Sequence, residues 1–217
     1  MSEIKNAGCS RVFNVSVYGL NESIKRAKYP KSVDIFNLTD ELTDGILNLA
    51  QSKKGEGHDN WLNGVVVQFD LKLSNKAWVE AERYHFLDFI SSQSTMHKIA
   101  HFDLDKSYNK YVDKRIVDVV KEKVEIYKSI EAEYKVASDD NEKDRLSKEL
   151  SEAYLTILYN NPAGFELVAG MTTNYRQLKT IYSQRKAHRL PEWKEVCKWI
   201  ETLPHSELII GKETKVA

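Results

Sequence analysis

No apolar run in the 217-residue chain is long enough to span a bilayer, and the opening MSEIKNAGCSRVFNVSVYGL lacks an apolar core behind a basic start. A cytoplasmic protein with no membrane segment is expected. An excess of one charge is also missing: 32 Lys and Arg balance 32 Asp and Glu, unlike a nucleic-acid binder or a membrane-surface protein. Any anionic ligand must therefore be met by a local cluster. Cysteine is scarce, and Cys9 and Cys197 show neither CxxC nor Cys/His metal spacing, which excludes a disulfide framework and gives no metal site. Neither an internal repeat nor a linker rich in Pro, Gly and Ser is present, so one α+β domain over residues 1–217 is the economical reading. The P-loop, GxGxxG, HExxH, EF-hand and Gly-x-Ser-x-Gly patterns are absent as well, which removes the main support for kinase, Rossmann, zinc-protease and serine-hydrolase chemistry.

What is present suffices for a core: 41% hydrophobic and 10% aromatic residues. SRVFNVSVYG sets Val12, Asn14 and Ser16 against Phe13, Val15 and Val17, a strand pattern in which Val12 breaks the polar face. LTDELTDGILNLAQSK places Leu42, Ile46, Leu47 and Leu49 at helical spacing and delivers the turn KKGEGHDN. The clearest strand is GVVVQFDLKLS, with Val65, Val67, Phe69, Leu71 and Leu73 on one face. A helix is expected next over NKAWVEAERYHFLDFISSQSTMHKI, capped by Asn75, with Ala77, Trp78, Ala81, Tyr84 and His85 along its stripe. From about 108 to 158, Val112, Ile116, Val120, Val124, Tyr127, Ile130 and Tyr134 predict a long helix. The acidic turn SDDNEKD and a second helix through Leu146, Leu150, Ala153, Tyr154 and Leu158 complete a helical hairpin with a solvated charged face.

Three polar clusters remain: Gly57, His58 and Asn60 before the clear strand, RYHFLDFISSQS after it, and NYRQLKTIYSQR within the helical reading of 171–193. Singly each is weak, since a His on an apolar helix face is more often a hydrogen-bonded core residue than a catalyst. Arg176 and Arg185 are nine residues apart, about 900° on an ideal helix, so they face opposite sides. If both are functional, they serve different ligands or the helix lies between sites at a subunit interface.

Taken in order, the clusters resemble the flavin-dependent thymidylate synthases: a GHxSxxEH-like loop, a strand, a helix carrying RHR and then Ser, and a late helix with N-x-R followed nine residues on by Arg. GHDNWLNG keeps Gly57 and His58, YHFLDFISSQS keeps His85 and Ser94, and NYRQLKTIYSQR keeps Asn174, Arg176 and Arg185, while Pro162 sits where the family tends to have a Pro. The match covers roughly residues 57 to 98 and 160 to 200. The resemblance implies that family's fold, an antiparallel sheet with long helices and a helical hairpin, in a homotetramer whose subunit junctions hold FAD and dUMP.

By carry-over, Asn174 and Arg176 would contact FAD, and His58, Asn60, Tyr84, His85 and Phe86 would line the flavin side. Ser92 takes the family's Glu position near both ligands, and Ser94 would contact dUMP. Arg185 would be the catalytic residue, holding the pyrimidine and favouring its N3-deprotonated form by fixed positive charge. The reaction implied moves a one-carbon unit from methylenetetrahydrofolate to C5 of dUMP, with hydride from FAD reduced by NADPH. Several positions depart from the family. Tyr84 and Phe86 replace the outer arginines of RHR, Gly64 the second His of the loop, Met96 and His97 the usual Arg-Tyr, and Leu158 the phosphate-binding Arg. Losing two such contacts costs about 3 to 6 kcal/mol, unless Arg83, Lys98, Arg185 or Arg189 substitutes. The alternatives are therefore a relative that modifies another pyrimidine nucleotide, for example by hydroxymethylation, and a non-catalytic nucleotide-binding or assembly protein on the same scaffold.

Overall fold

A computed structural model of the chain describes residues 3–53 and 55–211. In chain order the described residues form β1 (Glu3–Asn6), β2 (Val12–Tyr18), α1 (Leu20–Ala27), α2 (Asp44–Ala50), β3 (Val66–Ser74), α3 (Asn75–Ala81), β4 (Asp88–Ser92), α4 (Thr95–Lys98), α5 (Lys114–Val136), α6 (Asp140–Asn160), β5 (Glu166–Asn174), α7 (Tyr175–Arg185), α8 (Pro191–Ile200) and α9 (Glu207–Ile210). By their internal contacts they fall into two compact units, residues 3–53, 55–73, 77–92 and 168–211 in one, and 74–76 and 93–167 in the other. No helix is long and apolar enough to cross a membrane among the described residues.

The first unit is built on a five-stranded sheet of order β1-β2-β3-β5-β4, with β1–β2, β2–β3 and β4–β5 antiparallel. β3 is the strand its alternation predicts: Val65, Val67, Phe69, Leu71 and Leu73 are all buried, each contributing about 1.5–3 kcal/mol by leaving water. The broken alternation in β2 also has a cause. The register slips between Phe13 and Ser16, where Asn14 adopts φ 53 and its side-chain amide donates to Asp70 Oδ2 at 2.6 Å. This bulge adds one residue, so Val12 points inward with Val15 and Val17. Asn tolerates the left-handed conformation better than a branched residue would.

The predicted helix from 75 to 99 is corrected. α3 stops at Ala81 and the chain returns as strand β4, pairing Asp88 with Thr172 and Phe89 with Met171. The run Phe-Ile favours a pleated surface, and two of the supposed stripe residues, Tyr84 and His85, instead sit in the turn between. All five β4 residues are exposed, Phe89 and Ile90 among them, as befits an edge strand. Similarly, 171–174 is the end of β5 and not the start of a helix, because Ala169, Met171 and Thr173 alternate inward.

The second unit contains the predicted hairpin, α5 and α6. Asp113 caps α5 by accepting from the Arg115 N–H, and Asp139 caps α6 from the Glu142 N–H, both at 2.9 Å. Val120, Val124 and Ile157 are buried with Ile99, Leu104 and Phe165. Ile116 and Tyr134, expected on the apolar stripe, are exposed. The stripe thus narrows toward both ends of α5.

Candidate functional site

β5 hands over to α7 at Asn174, whose extended backbone (φ −138, ψ 166) and side-chain oxygen, accepting from the Gln177 N–H at 2.9 Å, start the helix. Asn174 is an N-cap. Tyr175, Leu178 and Ile181 then turn into the core, which leaves Arg176, Lys179, Thr180 and Ser183 on the opposite face at spacings of three and four.

The loop after α2 meets that face. Gly57 takes φ 77, a left-handed turn that suits glycine, and two residues later Asp59 is only 5% exposed. Its Oδ1 accepts from Arg176 Nε and its Oδ2 from Lys179 Nζ, each at 3.0 Å. Lys179 also donates to the Ala50 carbonyl at 2.6 Å and the Ser52 carbonyl at 3.0 Å. A buried carboxylate is tolerable here because two cations flank it.

Asp59, Arg176, Lys179, Thr180, His85 and Phe86 line a cleft of about 470 Å³. Phe86 is 58% exposed, and its carbonyl accepts from the Thr173 hydroxyl at 2.6 Å, which fastens the turn to β5. Gln177, in the cleft wall, has a buried side-chain nitrogen without a hydrogen-bond partner among the described residues. The cleft therefore offers a cation and an aromatic face, which suits a flat ligand bearing acceptors.

The other end of α7 is closed. Arg185 Nη1 contacts Glu80 Oε2 at 2.5 Å and its Nε donates to the Tyr84 hydroxyl at 2.7 Å. The guanidinium lies 4.9 Å from the Trp193 ring centre and 5.5 Å from that of Tyr84, and the side chain is 12% exposed. His188 Nε2 reaches the same Glu80 oxygen at 3.2 Å, while its Nδ1 accepts from the Leu190 N–H; the ring proton therefore sits on Nε2 when His188 is neutral. Tyr84 donates in turn to Gln184 Oε1 at 3.0 Å. Burial holds the Tyr84 phenol above its ordinary pKa, partly offset by the Arg185 charge.

Of the residues singled out from sequence, Arg176, His85 and Phe86 come together in the cleft. Asn174 lies at the start of the same helix as its cap, and Tyr84 is buried beside Arg185, outside the cleft lining. His58 and Asn60 are exposed on either side of Asp59 and do not line the cleft, nor does the exposed Arg83. Ser92 ends β4 opposite Ala169, and Ser94 belongs to the second unit, where its carbonyl accepts from the Lys98 N–H. Asp59, Lys179 and Gln177 were not anticipated. Spacing from Arg176 would have reached Lys179 and Thr180; nothing local distinguishes Asp59.

The fold has counterparts among solved structures. A flavin-dependent thymidylate synthase ThyX from Helicobacter pylori, complexed with FAD and dUMP, superposes with a TM-score of 0.62 over 89% of this chain and 95% of its own, at 14% identity. The fold is that of the flavin-dependent thymidylate synthases. A second Helicobacter pylori ThyX structure with FAD and dUMP gives 0.60 at 13% identity, covering 88% of this chain and 92% of that one. The UMP/dUMP methylase PolB from Streptomyces cacaoi, bound with 5-Br dUMP, gives 0.52 at 17% identity, covering 91% and 92%. No family model matches the sequence, and no curated protein does. The thymidylate synthase-like fold is thus visible in the backbone although few side chains are shared.

Proposed function

We propose that the chain is a flavin-dependent enzyme of pyrimidine nucleotide metabolism, in its most specific form a thymidylate synthase-like methyltransferase acting on dUMP with methylenetetrahydrofolate and NADPH as co-substrates. The observation that carries this is the cleft in which Arg176, His85 and Phe86 meet, on a fold whose solved representatives hold FAD and dUMP. The residues of the cleft fit a flavin: the two terminal nitrogens of Arg176, without protein partners among the described residues, are donors for a heteroaromatic edge, and the exposed Phe86 is a stacking surface. Bound there, FAD would supply hydride. Arg176 would bind and orient it, with Asn174 fixing the start of the helix that carries Arg176.

The nucleotide side is built differently. Arg185, the candidate for polarising the pyrimidine, is engaged by Glu80, Tyr84 and Trp193, so it serves that role only when Glu80 releases it. This favours, as second reading, a modified nucleotide or one-carbon outcome, for example hydroxymethylation. The reading also proposes a homotetramer, which would cover the exposed apolar residues of β4. The test is turnover. Protein supplied with FAD, NADPH, methylenetetrahydrofolate and dUMP, then UMP and dCMP in parallel, should convert one nucleotide to a C5-substituted product; flavin bound without conversion of any would leave a binding protein and sink the enzyme.

A further inference from the structure

Lys179 lines the cleft, yet its ammonium has three donors and all three are in use, on Ala50 O, Ser52 O and Asp59 Oδ2. No donor is left for a ligand. One of these contacts holds the end of α2, whose last residue is Ala50, and a second holds the Ser52 carbonyl in the loop just beyond it. The third pins Asp59. Asp59 in turn takes Arg176 by Nε alone, so both terminal nitrogens of the guanidinium have no protein partner among the described residues.

We infer that Lys179 is a positioning residue: by fastening the end of α2 and Asp59 to α7, it sets the direction in which Arg176 presents its two terminal N–H groups to the cleft. The assignment rests on the flavin-binding reading of that cleft for its functional consequence, and on geometry alone for the relay. Without Lys179, Asp59 would keep one cation in place of two, the loop would be tied to α7 through Arg176 alone, and Arg176 would sample other rotamers. Fixing a planar fork before the ligand arrives removes ordering cost from binding.

A double-mutant cycle on Lys179→Met and Asp59→Asn tests this, read by quenching of FAD fluorescence. Each single variant should weaken FAD roughly tenfold, and the double variant should be no weaker than either, because both changes act on one geometry. Effects that multiply to roughly a hundredfold, or an unchanged affinity in Lys179→Met, would overturn the inference. Lys179→Gln, which can still donate to the two carbonyls, guards against a variant that does not fold; it too should weaken FAD, and unchanged affinity would count against the relay. If the wild type takes up no FAD, the flavin reading falls and the relay is judged on the Nε–H resonance of Arg176, assigned by its disappearance in Arg176→Lys. A resonance sharp in the wild type and broadened in Lys179→Gln supports the relay; one that is unchanged overturns it.

Discussion

One helix carries both arginines, and its two ends treat them in opposite ways. Near the start of α7, Arg176 spends a single nitrogen on Asp59 and keeps a third of its side chain in solvent (34%). At the last residue, Arg185 is 12% exposed and spends its charge on Glu80 between two aromatic rings. The contrast teaches that two arginines on one helix can differ through their surroundings alone, one keeping nitrogens free of protein partners among the described residues and the other drawn into the packing. What differs is the neighbourhood: a loop carboxylate that shares its charge with Lys179 at one end, and at the other a carboxylate from α3 that His188 also contacts, closed in by aromatic rings.

Breaking the closed end should have the largest effect. Glu80→Ala leaves Arg185 buried without its counter-charge and is expected to cost about 3–5 kcal/mol of stability, measured by urea unfolding with Trp193 contributing to the fluorescence. Replacing both partners, Glu80→Leu with Arg185→Met, should recover much of that loss, since well-packed apolar pairs often match a buried ion pair. A double variant as unstable as Glu80→Ala would show that the cluster's hydrogen bonds, and not its charges, hold this end together.

The open end should respond in binding and not in stability. Arg176→Ala removes a charged donor, so FAD affinity should fall about ten- to a hundredfold. Its urea midpoint should stay close to that of the wild type, because Lys179 still neutralises Asp59. Arg185→Ala should show the reverse, a lowered midpoint with flavin affinity little changed.

Smaller effects sharpen the picture of a dry C-terminal end. Burial raises the Cys197 thiol from 9.0 to about 11 and also raises the Tyr84 phenol. Both groups are neutral in the fold, so their contribution is complete below the unfolded-state values and is lost as pH rises through the folded ones. Stability should therefore fall between about pH 9 and about 11, less steeply in Cys197→Ala, as urea midpoints across that range would show. Thiol labelling should divide the cysteines likewise: Cys9, exposed, reacts at once, and buried Cys197 reacts on unfolding. Equal rates would contradict the packing around Arg185.

The strong periodicities were legible. β3 and the α5–α6 hairpin follow directly from where their apolar residues fall, and the clear strand, the N-x-R element and the spacing to Arg185 suggested the fold later seen. β4 and β5 were hidden because their residues are read by partners distant in sequence: Phe89 pairs with Met171, and no local pattern announces that. At the site, Arg176 and His85 were legible through motif spacing, whereas Asp59 and Glu80 are ordinary acidic residues until the loop after α2 and helix α3 bring them to α7. The bulge at Asn14 is a similar case, visible in sequence only as a fault in the alternation.

The most direct test is a titration of FAD into the wild type and Arg176→Ala, followed by flavin fluorescence under identical salt. Saturable uptake near one flavin per chain in the wild type, weakened about ten- to a hundredfold in the variant, is the result predicted. Equal affinity in the two proteins, or no uptake by the wild type, would contradict the assignment of this cleft to the flavin.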